Sequence, residues 1–391
     1  MDMRLNQTPS GLVAGAVSPG GRDLRLDMFR GLALVMIYIN HVPGTVFEHW
    51  TSRNFGFSDA AEAFVLMSGI AAGLAYSRRF QAEPLWAATA RIWARARYLY
   101  FVHLAMTVIC LGIFAFAAKA FGLDEMLGRN NVAALFRDPL GVMIGIPTLL
   151  HQLGYLNILP LYSVLLLAAP FAILIGLRRP ALLLYLSIAL WALAAHFRWN
   201  IPAYPNPGGW FFSPFTWQLV FVVGLVGGIG MRQGEGLFRF NRYAFALAAF
   251  IVVGALVWMR VPGVAPMGHA ALRAGAEAGL PYYFTGFDKT YSALLRVVHA
   301  LALAYVLSSI PFMFRIAASR IVEPLVMLGR YGLAVFATGT VISMALQAVK
   351  AGIESSIAID AALLGSGLLI QIALAYALAA TTRLRQSRPG G

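Results

Sequence analysis

Long apolar runs alternate with short arginine-rich segments along most of the chain. Runs long enough to cross about 30 Å of hydrocarbon as helix fall near 27–46, 59–77, 99–121, 158–177, 180–197, 215–231, 243–260, 291–313, 325–346 and 357–380. The pattern predicts an all-α, polytopic integral membrane protein with about ten transmembrane helices. The stretch 132–150 is shorter and broken by Gly and Pro, so a re-entrant or interfacial segment suits it better. Residues 78–97 interleave arginines with tryptophans, as an amphipathic interfacial helix does. Arginines gather at alternate span ends (Arg78, Arg79, Arg178, Arg179, Arg232, Arg383 and Arg385), which predicts that both termini are cytoplasmic. One transmembrane domain is expected over 22–382, with flexible tails at 1–21 and 383–391. Residues 1–27 show no apolar core before a small-residue cleavage site, so no cleavable signal peptide is expected.

Composition narrows the class further. The chain is 60% hydrophobic and 12% charged, with a mean hydropathy of +0.72. Soluble domains carry about 25% charged residues, so half that level excludes an ordinary soluble enzyme. The formal charge of +14 does not imply nucleic acid, because basic residues at span ends are the normal topology signal. The single cysteine, Cys110, permits neither an intrachain disulfide nor a cysteine-based metal site, and no metal is expected. GxSxG, P-loop and HExxH patterns are absent from the sequence.

Polar groups inside apolar runs carry the chemistry. Arg30 and His41 stand eleven residues apart in the first run. In a helix that spacing is about 20° past three full turns and about 16 Å along the axis. The two therefore share a face and could line one polar channel. Pro43 disfavours helix at Val42, which places His41 at a helix end beside a turn. Asp59 and Glu62 open the second span with capping-box spacing. One of them could instead hold an imidazole nitrogen of His41 and raise its basicity. His151, Tyr155 and Asn157 precede the fourth span, where they could line the outer part of a cavity. Arg330 enters the ninth from the cytoplasmic side and could meet an anion. His103 and His299 read as structural hydrogen-bonding groups. Ser68, Gly69 and Gly73 form a small-residue face suited to close helix packing.

"RDLRLDMFRGLALVMIYINH" resembles the first helix of acyltransferase-3-type membrane acyltransferases, whose mark is Arg-x10-His. "RNFGFSDAAEAFVLMSGIAAGLAY", "NILPLY" and "WNIPAYPNPGGWFFSPFTWQLVF" resemble more specifically the OpgC family, associated with succinylation of osmoregulated periplasmic glucans. The likeness covers about residues 22–380. It implies a bacterial inner-membrane enzyme that takes an acyl group, succinyl in this family, from cytoplasmic acyl-CoA to a glucan hydroxyl in the periplasm. His41 would be the catalytic base, Asp59 and Glu62 its local partners, and Arg30 a support for the fold or the CoA end.

On that reading the CoA phosphates would approach Arg30, Arg91, Arg95, Arg97 and Arg330. The 91–97 cluster suits anionic membrane lipids equally well. Sugar rings stack on aromatic faces, which nominates Tyr204, Trp210, Phe211, Phe212 and Trp217; the alternative is an interfacial aromatic belt. Arg198 or Arg296 could meet the distal carboxylate of a succinyl group. The rivals are a transporter or flippase, a non-catalytic scaffold for glucan synthesis, and an acyltransferase for another envelope glycan.

Overall fold

A computed structural model describes residues 17–18 and 22–387. The expected tail at 1–21 lies almost wholly outside the described residues, as does the end of the second tail. Apart from a two-residue ladder between Val17–Ser18 and Arg22–Asp23, the described chain is helical. The first helices are α1 (Leu24–Asn40), α2 (Ala60–Ala82) and α3 (Leu85–Phe121), followed by the short α4 (Ala134–Arg137) and α5 (Pro139–Gly145). Next come α6 (Ile158–Arg178), α7 (Pro180–His196), α8 (Pro214–Arg232), α9 (Arg242–Arg260), α10 (Val264–Glu277) and α11 (Tyr282–Thr285). The last are α12 (Leu294–Ser309), α13 (Phe312–Ala317), α14 (Glu323–Arg330), α15 (Gly332–Ala351) and α16 (Ile357–Ser387). Seven of these, α2, α3, α6, α8, α9, α15 and α16, are long and apolar enough to cross a membrane; α7 and α12 are shorter apolar helices. The chain is thus a multi-pass membrane protein by helix length and composition.

Three expectations change. Residues 78–97 make no separate interfacial helix: α2 runs through Ala82, the chain extends at Glu83 and Pro84, and the remainder is the start of α3. Proline sets that boundary, since it suits a helix start and not an interior. With 37 residues, α3 is about 55 Å long, so its arginine-rich first turns project beyond any 30 Å core. The 325–346 run is split at Tyr331 into α14 and α15. At the C-terminal end, α16 continues as helix into the segment expected as a tail. Neither α4 nor α5 is long enough to cross a bilayer; Leu140, Met143 and Ile144 on α5 are exposed.

The centre of the bundle is α2, of whose most apolar stretch 72% is buried, against 11% for the rim helix α9. Close approach at glycines makes the central seam. A Cβ on Gly69 would lie 2.0 Å from the Phe221 carbonyl oxygen, and one on Gly73 2.4 Å from that of Leu225. From the other side, a Cβ on Gly224 or Gly228 would come within 2.2 Å of the carbonyl oxygens of Leu66 or Ile70. The two GxxxG faces let the α2 and α8 backbones touch, the small-residue solution to helix packing in lipid. A second such contact joins α1 to α14, where Gly31 meets the Leu325 carbonyl and Gly329 that of Asp27. Gly69→Ala will therefore destabilise the protein by about 1–3 kcal/mol through overpacking. Gly112→Ala on α3, whose added methyl meets nothing within 4 Å, will not. Thermal unfolding of the two variants in detergent makes the comparison, and equal midpoints would refute the seam.

Candidate active site

Because α1 is an unbroken helix that His41 caps, Arg30 and His41 do fall on one side of it, at opposite ends. The face between them is filled. Leu34 and Ile37 stand there in one apolar cluster with Val335 and Phe336 of α15, and the gap left among them is too small to admit water, so this face is not the polar channel the spacing suggested. Near one end, Arg30 donates to the carbonyls of Met67 and Gly329 and to Asp27, each at 3.4 Å. Its guanidinium thus ties α1 to α2 and α14. The void lies on the neighbouring face of α1: a cavity of about 420 Å³ bounded by α1, α2, α9 and α12. Phe29, Met36, Leu66, Leu256 and Leu303 are among its apolar walls. At the Arg25 end it meets Asp23, Arg25 and Ser308; at the other end it meets Ser58, Asp59, Glu62 and His299.

That second end holds the densest charge in the described structure. Asp59 and Glu62 close the capping box of α2: Asp59 Oδ1 accepts from Ala61 N at 2.8 Å, and Glu62 Oε2 from Asp59 N at 2.9 Å. Their remaining oxygens go to cations. Arg296 of α12 donates from Nε to Glu62 Oε1 at 2.7 Å and approaches Asp59 Oδ2 at 3.3 Å. Lys289 Nζ lies 2.5 Å from Asp59 Oδ2. Burial would raise the pKa of the Asp59 carboxyl, just outside α2, but the Lys289 and Arg296 cations outweigh it and hold it below the usual carboxylate range. Neither carboxylate is hydrogen-bonded to His41, as one reading of their spacing had it. Buried cations outcompete a neutral ring for carboxylate oxygens.

His41 nevertheless belongs to this end. Lys289 and Asp59 are the charged groups that act on it. Its ring leans on Tyr155 at 4.7 Å between centroids, and its carbonyl accepts from Gln347 Nε2 at 2.7 Å. The Nδ1 atom is buried with no hydrogen-bond partner among the described residues. The His41 imidazole is thus held by its backbone carbonyl and one ring contact, with Nδ1 uncommitted among the described residues.

The other nominated residues divide clearly. Arg91, Arg95, Arg97 and Arg330 all sit toward the Arg25 end, at the start of α3 and the end of α14. Arg91 pairs with Glu83 at 3.0 Å, the Arg95 guanidinium lies 5.5 Å from the Tyr98 ring, and Arg97 and Arg330 are exposed. Arg30 and Arg95 both act on Tyr162, which draws those two together. At the His41 end, Tyr204 and Phe211 are exposed, whereas Trp210, Phe212 and Trp217 are buried and unavailable to stack on a sugar. Their work is structural: Trp217 Nε1 donates to the Lys289 carbonyl at 2.9 Å, and Phe212 packs edge-on against Trp217. Asn157 donates to Gln152 Oε1, and His151 is buried. The arginines nominated for a succinyl carboxylate are engaged: Arg296 as above, and Arg198 over the Tyr282 ring at 4.4 Å.

Sequence reasoning passed over Ser58, Lys289 and the pairing of Arg296 and His299 with the start of α2. A signal was present. Asp59 and Glu62 are three apart, as are Arg296 and His299, so each pair occupies one helix face. Among the described residues no group of three or more His, Cys, Asp or Glu side chains is placed to hold a metal ion.

No curated protein matches the chain. A family model described as OpgC protein matches residues 22–383, nearly the whole length and every helix that builds the cavity and its charged end, so the chain belongs to the OpgC family.

Proposed function

We propose that this protein is a succinyltransferase that moves the succinyl group of cytoplasmic succinyl-CoA to a hydroxyl of a periplasmic glucan across the bacterial inner membrane. The family match over residues 22–383 supports the reaction class. Arginine weighting supports a topology of ten crossings with both termini cytoplasmic and the His41 end facing the periplasm. The Arg25 end, with Arg30, Arg95, Arg97 and Arg330, then faces the phosphates of CoA. The cavity gives the donor's flexible arm an apolar path toward the periplasmic end. Exposed Tyr204 and Phe211 flank that end as stacking surfaces for sugar.

The observation that carries the reading is His41, half-buried at the α1 terminus, whose Nδ1 has no hydrogen-bond partner among the described residues. An attacking sugar hydroxyl must lose a proton as its oxygen bonds to the acyl carbon. Histidine, with a reference pKa of about 6.5, accepts it near neutral pH. Purified protein in detergent, given succinyl-CoA and periplasmic glucan, will release free CoA thiol and shift the glucan mass by whole succinyl groups. Failure to release thiol or modify glucan, with folded protein, would overturn the assignment.

A further inference from the structure

One pair of side chains in the cavity is unused by that mechanism. Ser58 Oγ lies 2.7 Å from His299 Nδ1, and the Ser58 backbone N–H donates to the same nitrogen at 3.3 Å. Both residues line the cavity at its His41 end, and both are buried. The backbone N–H settles the tautomer: Nδ1 must be the unprotonated acceptor, so the hydroxyl donates to it. A hydroxyl bonded to the bare nitrogen of a neutral imidazole is the ground state of a base-activated serine. The ring is also fixed from its far side. A Cβ on Gly56 would fall 2.2 Å from His299 Cε1 and 2.3 Å from Nε2, so that glycine lets the loop press against the imidazole edge. Along α1 the wall from Leu26 to Met36 is about 15 Å long, a path by which a thioester on a flexible arm reaches Ser58 from the Arg25 end.

We propose that Ser58 is a nucleophile that takes the acyl group from the donor thioester as an ester, with His299 as its base, before the glucan receives it. This deepens the succinyltransferase reading and rests on it. Ser58 Oγ attacks the thioester carbonyl carbon while its proton passes to His299 Nδ1. The tetrahedral adduct collapses with cleavage of the C–S bond, and the thiolate leaves with the proton from His299. Acyl-Ser58 and neutral His299 remain. A glucan hydroxyl then attacks the ester carbon and gives its proton to His41; as the ester C–O bond breaks, Ser58 Oγ takes a proton from water and His41 returns its own to water. No net proton is gained and no oxidant or reductant is consumed.

The test is a rapid quench of full-length protein in lipid nanodiscs with isotopically labelled succinyl-CoA and no glucan, followed by peptide mass spectrometry. The expected result is one labelled succinyl group on the peptide containing Ser58, discharged when glucan is added. Ser58→Ala will lose the label, and His299→Gln will slow its appearance by about 10²–10⁴-fold, the range for a general base. If wild-type protein succinylates glucan while the Ser58 peptide stays unlabelled, the serine route is wrong and the transferase reading stands. If the wild type transfers nothing to glucan, that reading falls with it. The wild-type label needs no variant to fold, so the proposal stays testable if Ser58→Ala does not.

Discussion

His41→Ala will lower the rate of glucan succinylation by about 10²–10⁴-fold, equivalent to about 3–5 kcal/mol of transition-state stabilisation, while leaving the fold intact. Both halves of that expectation come from the same geometry. No ring hydrogen bond of His41 is lost, because its Nδ1 has no partner among the described residues. The anchor to α15 survives, because Gln347 binds the backbone carbonyl and not the ring. The side chain contributes packing against Tyr155, which His41→Gln largely keeps, so His41→Gln should be as inactive and slightly more stable. Steady-state release of CoA thiol, measured beside the thermal midpoint of each variant, separates the two effects. Near-full activity in a folded His41→Ala protein would remove the imidazole from the mechanism.

Glu62→Ala will be the most destabilising of the substitutions considered. Glu62 is fully buried and takes two contacts from Arg296, at 2.7 and 2.6 Å. Removing it strands a guanidinium in the bundle, for which breaking a buried pair typically costs about 3–5 kcal/mol. Asp59 is no substitute, since its contact to Arg296 is longer at 3.3 Å and Lys289 already engages it. Capping is lost as well, because Glu62 accepts the Asp59 backbone N–H. The double change Glu62→Leu with Arg296→Met should recover most of the loss, since apolar replacement of a buried pair is often neutral. Glu125→Ala supplies the contrast: its pair with Arg129 is solvent-exposed and is worth about 0–1 kcal/mol. Chemical or thermal unfolding in one detergent ranks the variants; parity of Glu62→Ala with Glu125→Ala would refute the buried pair.

Much of the architecture was legible from apolar run length alone, because a lipid-crossing helix must be long and uninterrupted. Every predicted run contains a helix, though some, among them those at 27–46 and 325–346, are not helical throughout, and Pro84 and Pro180 mark starts that the sequence displays. Periodicity correctly placed Arg30 and His41 on one side of α1, and Asp59 and Glu62 at a capped start. What it does not encode is which helix each face meets. Glu62 and Arg296 are 234 positions apart, and nothing local in either segment names the other. The same gap put a polar channel on a face of α1 that carries none: spacing shows that two groups are aligned, not that Leu34 and Ile37 between them are covered by α15. Trp210 and Trp217 were nominated for sugar because aromatic residues suit both a binding surface and a buried brace. Only their burial and the bond from Trp217 to the Lys289 carbonyl decide between those uses.

The Glu62–Arg296 pair also bears on how the chain enters the membrane. Residues emerge from the ribosome in order, so α2 arrives carrying Glu62 long before α12 brings Arg296. An arginine costs about 2.5–3.5 kcal/mol at the centre of an isolated inserting helix and less toward its ends; Arg296 is the third residue of α12, which has only 16 residues with which to offset its share of that cost. An acidic helix already in place lowers that cost for the later, weaker segment. The earlier helix thereby acts as an internal insertion aid, and the order of synthesis becomes part of how the bundle is assembled.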